Sequence, residues 1–320
     1  MILSPDAEDQ LKQLARIIEH YDERMPDDIV EANLAEVALI VGQTHMDAGR
    51  FDRANNLKGI INVKGNWEPF VDYGEAARRG IPVYSIAPVM AHAVAEMSLG
   101  FAIDLGRNIR LNDAAFRRGE DRYGIRGNQT AYSLYGAKVA LIGYGNLGRA
   151  LRPLLAPFGC EVLAHDPNLP AGYLGEQGCR AVGLDEALAT ARYIFIMAGV
   201  YAGQEGFLDR ARLGLIQPDA SVILASRAEV TDFDAFVEMA EAGKFRAAID
   251  VFPEEPVPAD APVRKTKNIL LSSHLAGGIF DSYRRISDLL LDEIPVILRG
   301  LPAQRLQRAD PALASAGRSR

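Results

Sequence analysis

The sequence predicts an α/β protein of two domains, each organised around a mainly parallel sheet. The chain has 320 residues, which is longer than a typical single domain and sufficient for two cores. Short apolar runs rich in Val and Ile alternate with segments of helical periodicity, as in strand–helix–strand units. One of these runs leads into a glycine-rich turn that opens a helix, which predicts the role of the second half of the chain.

The first half of the chain alternates helices with strands. Ser4 followed by Pro5 is a typical helix start. The residues from 89 to 110 carry apolar side chains on most faces, which predicts a long buried helix. The predicted strands are residues 37–41, residues 57–63 and the residues after Gly80, and the predicted short helices are residues 27–35 and 72–79.

Residues 138–166 have the pattern strand, glycine turn, helix, strand and acidic residue. Gly143, Gly145 and Gly148 form G-x-G-x-x-G, in which the first Gly allows a tight turn, the second lets the backbone approach a pyrophosphate, and the third lets the helix pack against the strand. The helix starts near Asn146, so its positive N-terminus faces that pyrophosphate. A glycine triplet alone could belong to a turn that binds nothing, but the whole context favours a dinucleotide-binding Rossmann unit.

The second strand of this unit ends beside Asp166, which is about 20 residues past the turn and is expected to meet the ribose hydroxyls of the cofactor. A carboxylate here repels a 2′-phosphate, and the next three residues, Pro167, Asn168 and Leu169, supply no cation to hold one. The sequence therefore predicts NAD as the cofactor.

Three titratable residues follow predicted strands in the last third of the chain. Arg227 follows the strand at 221–225, Glu255 follows the strand at 246–251, and His274 follows the strand at 269–271. The carboxyl ends of parallel strands form the edge of the sheet where ligands bind. Each residue also has an ordinary explanation, because an Arg can form a surface ion pair, a Glu can be solvated, and a His can be structural.

The order of these groups after a dinucleotide unit favours hydride transfer on a 2-hydroxy acid. Such a reaction requires a cation for the carboxylate, which Arg227 would provide in bidentate geometry. It also requires a group that titrates near neutrality to exchange the hydroxyl proton, for which His274 is suited. Glu255 would orient that His, and the cofactor would supply the hydride chemistry.

Composition and charge exclude several other classes of protein. The net charge of −7 argues against nucleic acid and anionic membranes as partners. Cys160 and Cys179 are too few for a disulfide scaffold, and the N-terminus lacks a signal-peptide core, so we expect a reducing cytoplasm. We find no apolar run long enough for a bilayer, and no CxxC, HExxH or clustered His that would predict a bound metal.

The chain resembles the D-isomer-specific 2-hydroxyacid dehydrogenases, which include glycerate, phosphoglycerate and D-lactate dehydrogenases. The resemblance runs from about residue 57 to residue 302. It implies an NAD-dependent oxidoreductase for a small D-2-hydroxy or 2-oxo acid, in which Arg227 binds substrate, His274 is the general acid/base and Glu255 pairs with His274. The segments that carry it read LKGIINVKG, RRGIPVYSIAP, AVAEMSLGFAIDLGRNI, GYGNLGR with HDP, SRAEVTD, AIDVFPEEP and SSHLAGG.

The resemblance also implies two Rossmann-like or flavodoxin-like domains with the active site in the cleft between them. The substrate domain would be discontinuous, with residues 1–98 plus 286–304, the NAD-binding domain would be residues 99–285, and residues 305–320 would be a polar, frayed tail. Family members usually form homodimers through the cofactor domain. Asp250 is expected to contact the nicotinamide carboxamide. The expected cofactor-binding residues are Gly143, Gly145, Asn146, Leu147, Gly148, Asp166, Ser226, Asp250 and Gly277.

The chain departs from the family pattern in the lining of the cofactor site. Ala228 stands where the family has Gly after the Arg, Leu224 replaces an Asn, and Ser273 replaces the Pro before the His. Met197 and Gly199 stand where the family has His and Pro. None of these departures removes a catalytic group.

The largest departure is the expected substrate loop, which contains Lys64, Gly65, Asn66 and Trp67. The family usually has G-x-G here, and the second Gly is replaced by Trp67, the only Trp in the chain. Trp67 could line the substrate pocket or simply pack in the core. Lys64 could hold a second anionic group of the substrate or be a solvated surface residue.

Two alternatives to a 2-hydroxyacid dehydrogenase remain open at this point. Phosphite dehydrogenases share the fold, keep the Arg, Glu and His, and place a Lys before the loop Gly as Lys64 does here, whereas formate dehydrogenases carry Gln at the position of Glu255. Some other relatives are NAD(H)-sensing binding proteins without enzymatic activity. The complete set of Arg227, Glu255 and His274 argues against this last class.

Overall fold

The computed structural model describes residues 3–20, 24–65, 67, 69–200 and 205–315. In chain order the helices are α1 (Pro5–Leu14), α2 (Asp27–Asn33), α3 (Ala48–Phe51), α4 (Tyr73–Arg78), α5 (Ala87–Arg107), α6 (Ile109–Arg117), α7 (Asn146–Leu155), α8 (Ala171–Glu176), α9 (Leu184–Thr190), α10 (Arg210–Leu213), α11 (Phe233–Glu241), α12 (Phe280–Leu298) and α13 (Pro311–Ser315). The strands are β1 (Ile40–Val41), β2 (Ile60–Asn62), β3 (Val83–Ser85), β4 (Lys138–Ile142), β5 (Glu161–His165), β6 (Arg180–Ala181), β7 (Tyr193–Ile196), β8 (Ser221–Leu224), β9 (Arg246–Ile249), β10 (Ile269–Leu271) and β11 (Gln307–Arg308).

The described residues divide into two compact units. Residues 3–91 and 278–315 form one, which we call the terminal unit, and residues 92–200 and 205–277 form the other, which we call the central unit. The fold is therefore α/β with two sheet-containing units, and one of them is assembled from both ends of the chain. The structural division falls slightly earlier in the chain than the boundaries after residues 98 and 285 that we expected from the sequence.

The terminal unit contains a small sheet in the order β1-β2-β3-β11 among the described strands. The first three strands are parallel, and β11 pairs antiparallel with β3. Ser4 caps α1 as its sequence predicts, because its side chain accepts a hydrogen bond from the Ala7 N–H. The predicted frayed tail is wrong over part of its length, since β11 lies within this range, Leu306 just before it is buried, and Ala314 of α13 is buried as well.

The central unit contains a sheet in the order β10-β9-β8-β7-β4-β5-β6, in which every pair of neighbouring strands is parallel. Strands β7 and β8 are buried along their whole length, as expected when helices cover both faces of a parallel sheet. The strand order reverses beside β4, because β5 continues on one side and β7 begins the other. This is the switch point at which open α/β sheets bind ligands.

The long helix predicted at residues 89–110 is two helices in the structure. Asn108, between α5 and α6, adopts a left-handed conformation with φ of 54°, which Asn tolerates better than most residues and which ends the first helix. In contrast to our expectation, α5 is long and apolar enough to cross a membrane by length and composition. Half of the most apolar stretch of α5 is buried inside the protein. Core helices meet the same criterion of length and composition, so this feature indicates a membrane span only weakly.

Candidate active site

The three glycines of the turn after β4 occupy different environments. Gly143 has φ of +95°, and a Cβ added there would lie 2.6 Å from the Ala198 backbone N. A Cβ on Gly148 would lie 2.6 Å from the Gly143 carbonyl oxygen, so α7 packs closely on the turn. A Cβ on Gly145 would meet nothing within 4 Å. Gly145 is therefore the position where the turn is open to a ligand, while the other two are packed.

The open glycine lies at the start of α7. Gly145 is the N-cap residue and has no side chain to cap the first N–H groups of this 10-residue helix. Asn146 and Leu147, two further predicted cofactor contacts, form the first turn. A helix N-terminus with an open glycine before it suits a pyrophosphate.

Asp166 immediately follows β5 and is bound to the glycine turn. One carboxylate oxygen accepts the Tyr144 N–H at 2.9 Å, and the other accepts the Asn168 N–H at 3.0 Å. The predicted ribose contact is thus held in a fixed orientation beside the turn. The Tyr144 side chain is buried, and burial raises the pKa of Tyr144 to about 12, so its hydroxyl stays protonated at neutral pH.

The structure brings His274 and Glu255 together beyond the ends of β9 and β10. The Nδ1 atom of His274 lies 2.6 Å from Oε2 of Glu255. The other carboxylate oxygen of Glu255 accepts the Phe252 N–H at 2.9 Å, which fixes the carboxylate. The two side chains are 43% and 34% exposed, so a substrate or solvent molecule can reach them. Since Nδ1 is used by Glu255, the Nε2 atom remains for proton exchange.

Arg227 lies at the same edge of the sheet. The paired residues Leu224, Ile249 and Leu271 align the ends of β8, β9 and β10, so Arg227 follows a strand that is two positions from β10. Its guanidinium donates to the Ser226 carbonyl oxygen at 2.6 Å. The three residues predicted to act together are therefore on one edge of one unit.

Ser226 and Asp250 are the buried members of the predicted cofactor set. Ser226 is 2% exposed, and its hydroxyl has no hydrogen-bond partner in the described part of the chain. An orphaned buried hydroxyl and an open glycine beside a helix N-terminus both fit a bound dinucleotide. Asp250 is fully buried, and its two carboxylate oxygens accept the N–H groups of Leu275 and Ala276. Gly277, the last predicted contact, follows this segment directly.

The predicted substrate loop belongs to the terminal unit. Asn62, which the sequence analysis did not single out, accepts the Lys64 N–H at 2.8 Å, and the Ser85 hydroxyl donates to the Lys64 carbonyl oxygen at 3.1 Å. Trp67 is half-buried against the core and stands edge-on to Tyr73, with ring centroids 6.0 Å apart. These contacts support a packing role for Trp67. Gly65 adjoins Lys64, and Asn66 lies outside the described residues.

Three of the departures from the family pattern occupy buried positions in the structure. Ala228 is buried and begins a short 3-10 helix, and its φ is negative, so this position does not require Gly. Leu224 and Met197 are buried in the core on the two faces of the sheet. Within the described ranges, no group of three or more His, Cys, Asp and Glu residues is arranged to hold a metal ion. Both cysteines are free thiols.

Residues 99–276 match the family model described as the D-isomer specific 2-hydroxyacid dehydrogenase, NAD binding domain. The solved structure of a phosphoglycerate oxidoreductase from Rhizobium etli is 34% identical, has a TM-score of 0.86, and is similar over 97% of this chain and 94% of its own. The D-3-phosphoglycerate dehydrogenase of Methanocaldococcus jannaschii is 26% identical over 85% of this chain and 51% of its own length. The glyoxylate reductase of Thermofilum pendens is 27% identical over 80% of this chain and 76% of its own.

The chain spans about half the length of the first curated relatives that it matches. The family and the NAD cofactor that the sequence predicts are confirmed by these comparisons. Because the family model covers more than half of the chain and the Rhizobium etli structure nearly all of it, the chain belongs to the D-isomer-specific 2-hydroxyacid dehydrogenase family.

Proposed function

We propose that this protein transfers a hydride between nicotinamide and a small D-2-hydroxy acid or the corresponding 2-oxo acid. The observation that carries this proposal is the 2.6 Å contact between His274 and Glu255 at the ligand-binding edge of the NAD-binding sheet. An imidazole that donates its Nδ1–H to a carboxylate is held in orientation and can take up or release a proton at Nε2. The names of the relatives, which include reductases and dehydrogenases of 2-oxo and 2-hydroxy acids, support the same activity.

Each residue has a separate task in this proposal. NAD, when bound, supplies or accepts the hydride. Arg227 binds the substrate carboxylate and polarises its carbonyl, because a guanidinium matches a carboxylate in bidentate geometry. His274 gives a proton to the carbonyl oxygen during reduction and removes it during oxidation. Glu255 holds Nδ1 of His274, so that the acid/base atom is Nε2.

The cofactor and substrate contacts are assigned on the same basis. We assign the pyrophosphate to the open turn at Gly145, Asn146 and Leu147, and the ribose hydroxyls to Asp166. Ser226 and Gly277 would line the nicotinamide end. We assign substrate binding to the loop of Lys64, Gly65 and Asn66, beside the packed Trp67, and we assign a second anionic group of the substrate to the positive charge of Lys64.

We also propose a homodimer and a cytoplasmic location. Helix α6 has no buried residue, and Ile109, Leu111 and Phe116 are each about half exposed or more, so the helix presents apolar surface that a second copy of the chain would cover. Burial raises the pKa of the Cys160 and Cys179 thiols above its ordinary value. Free thiols of this kind suit a reducing compartment.

The first experiment measures NADH oxidation against a panel of 2-oxo acids, namely glyoxylate, hydroxypyruvate, phosphohydroxypyruvate and pyruvate. We expect turnover of at least one member and a loss of at least ~100-fold in His274→Ala, as is typical when a general acid is removed. His20→Ala is the matched control, since His20 is exposed and belongs to no site described above. We expect it to retain full activity.

Three other results would each contradict part of the proposal. Equal activity of His274→Ala and the wild type would show that His274 is not the general acid/base. Oxidation of phosphite with no activity on any 2-oxo acid would identify a small-anion dehydrogenase of the same fold. Binding of NADH without turnover of any substrate would favour the nucleotide-sensing binding protein.

A further inference from the structure

The backbone of His274 adopts an unusual conformation. Its φ is +55°, in the left-handed region that residues with a Cβ rarely occupy. Such a conformation persists where surrounding contacts hold it, and it is frequent at functional sites. The direction of the His274 side chain depends on this backbone conformation. The contacts that maintain it are therefore important for any acid/base role of the imidazole.

One residue holds the backbone on both sides of this position. The Asp250 carbonyl oxygen accepts the His274 N–H at 2.8 Å. Its carboxylate then accepts the next two N–H groups, from Leu275 at 3.0 Å and from Ala276 at 3.1 Å. Three consecutive main-chain N–H groups thus donate hydrogen bonds to a single residue.

The position of Asp250 explains why it can do this. It is the first residue after β9, and its own N–H donates to the Leu224 carbonyl oxygen of the neighbouring strand β8. The Asp250 side chain is 0% exposed, so water does not compete for its carboxylate oxygens. Asp250 is therefore anchored to the sheet on one side and to the His274 segment on the other.

The same strand end also fixes the partner of His274. Phe252, two residues after Asp250, donates its N–H to Glu255 at 2.9 Å. Both members of the His274–Glu255 pair are thus held by hydrogen bonds to residues that follow β9. A loss of the Asp250 carboxylate would release one member while leaving the other in place.

We propose that Asp250 is a positioning residue, whose buried carboxylate holds the backbone of residues 274–276 and thereby keeps the His274 imidazole against Glu255. This role rests on the proposed function of His274 and differs from the nicotinamide contact expected from the family. A cofactor contact would change the affinity for NADH. A positioning residue changes the rate of the enzyme when it is saturated with NADH and substrate.

The activity test compares Asp250→Asn and Asp250→Ala with the wild type at saturating NADH and 2-oxo acid. We expect kcat to fall about 100-fold in Asp250→Ala, because small misplacements of a catalytic group have effects of this size. Asp250→Asn retains one carbonyl acceptor, so its loss should be smaller. The Kd for NADH, measured by fluorescence titration, should change less than about threefold in both variants.

Glu293→Gln is the matched control. Glu293 is 2% exposed, and its carboxylate also accepts two main-chain N–H groups, those of Gln304 at 2.9 Å and Arg305 at 2.6 Å. We expect this variant to lower the melting temperature and to keep the wild-type kcat. A kcat in the Asp250 variants that is normal once NADH saturates, or one that falls only in proportion to unfolded protein, would overturn the proposal.

Hydrogen exchange of the wild-type protein, with single-residue resolution by mass spectrometry, tests the proposal without any substrate. We expect the Leu275 and Ala276 amides to exchange at least ~100-fold more slowly than in an unstructured peptide, because both are bonded to a buried carboxylate. Exchange at the unstructured rate would overturn the proposal even if the variants fail to fold. Slow exchange together with no turnover of any substrate would contradict the proposed function but not the positioning of the His274 backbone by Asp250.

Discussion

Two glycines in one motif meet opposite requirements. An added Cβ on Gly145 would enter open space, whereas an added Cβ on Gly148 would lie 2.6 Å from the Gly143 carbonyl oxygen. Gly145 has φ of −76°, which an Ala can adopt without left-handed strain. We therefore expect Gly145 to be needed for cofactor binding and Gly148 for the packing of α7.

This difference predicts opposite results for two similar substitutions. Gly145→Ala should raise the Kd for NADH at least ~10-fold, which corresponds to about 1.4 kcal/mol, and leave the melting temperature nearly unchanged. Gly148→Ala should lower the melting temperature by roughly 3–10 °C, because overpacking costs about 1–3 kcal/mol. Fluorescence titration and thermal unfolding of both variants give the comparison. A Gly145→Ala protein that unfolds earlier but binds NADH normally would refute the assignment of the pyrophosphate to this turn.

The sequence predicts residues that carry chemistry better than residues that hold them in place. His274 and Glu255 were predicted from their order after strands and from the family resemblance, and the structure pairs them. The hydrogen bonds that the Leu275 and Ala276 N–H groups donate to the Asp250 carboxylate were not foreseen. Neither residue spacing nor composition reveals a hydrogen bond between a side chain and a main-chain N–H that is distant in the sequence.

At the level of elements, the buried strands were predicted well and the short peripheral ones were missed. Strand β10 has the predicted bounds, and β8 ends one residue earlier than predicted. Helices α8 and α9 and strand β6 were not predicted. Strand β6 has only two residues, neither buried, and α8 contains two glycines, so their apolar periodicity is weak.

Helix α6 is the element through which we expect two copies of the chain to meet. Phe116 is 63% exposed on a helix that has no buried residue. Phe116→Asp should therefore convert the proposed homodimer to a monomer, because a charge in an apolar contact remains desolvated without a partner. Light scattering coupled to gel filtration would measure the mass, with twice the mass of one chain expected for the wild type. Arg117→Ala, which removes an exposed partner of Asp113 in the same helix, should leave the dimer intact.

A wild-type protein with the mass of one chain would contradict the dimer directly. A Phe116→Asp protein that keeps the mass of two chains would place the interface elsewhere on the molecule.

At the level of the whole molecule, the two units were predicted and the course of the C-terminus was not. The discontinuous domain followed from the family resemblance rather than from composition. Residues after 304 are polar, so the sequence predicted a frayed tail. In the structure β11 completes the small sheet, and the buried Glu293 holds the turn before it through two main-chain N–H groups. Sheet pairing of a two-residue strand depends on main-chain groups, which polar residues supply as well as apolar ones.

The central claim is that a hydride passes directly between NADH and C2 of a 2-oxo acid in this protein. NADH that carries deuterium at the transferable C4 position tests the claim most directly when it is supplied with hydroxypyruvate, phosphohydroxypyruvate or pyruvate, whose reduced products are chiral at C2. Mass spectrometry and chiral chromatography of the product should show one deuterium at C2 and the D configuration, while the proton on oxygen comes from solvent through His274. A product without deuterium at C2, or with the L configuration, would contradict the account.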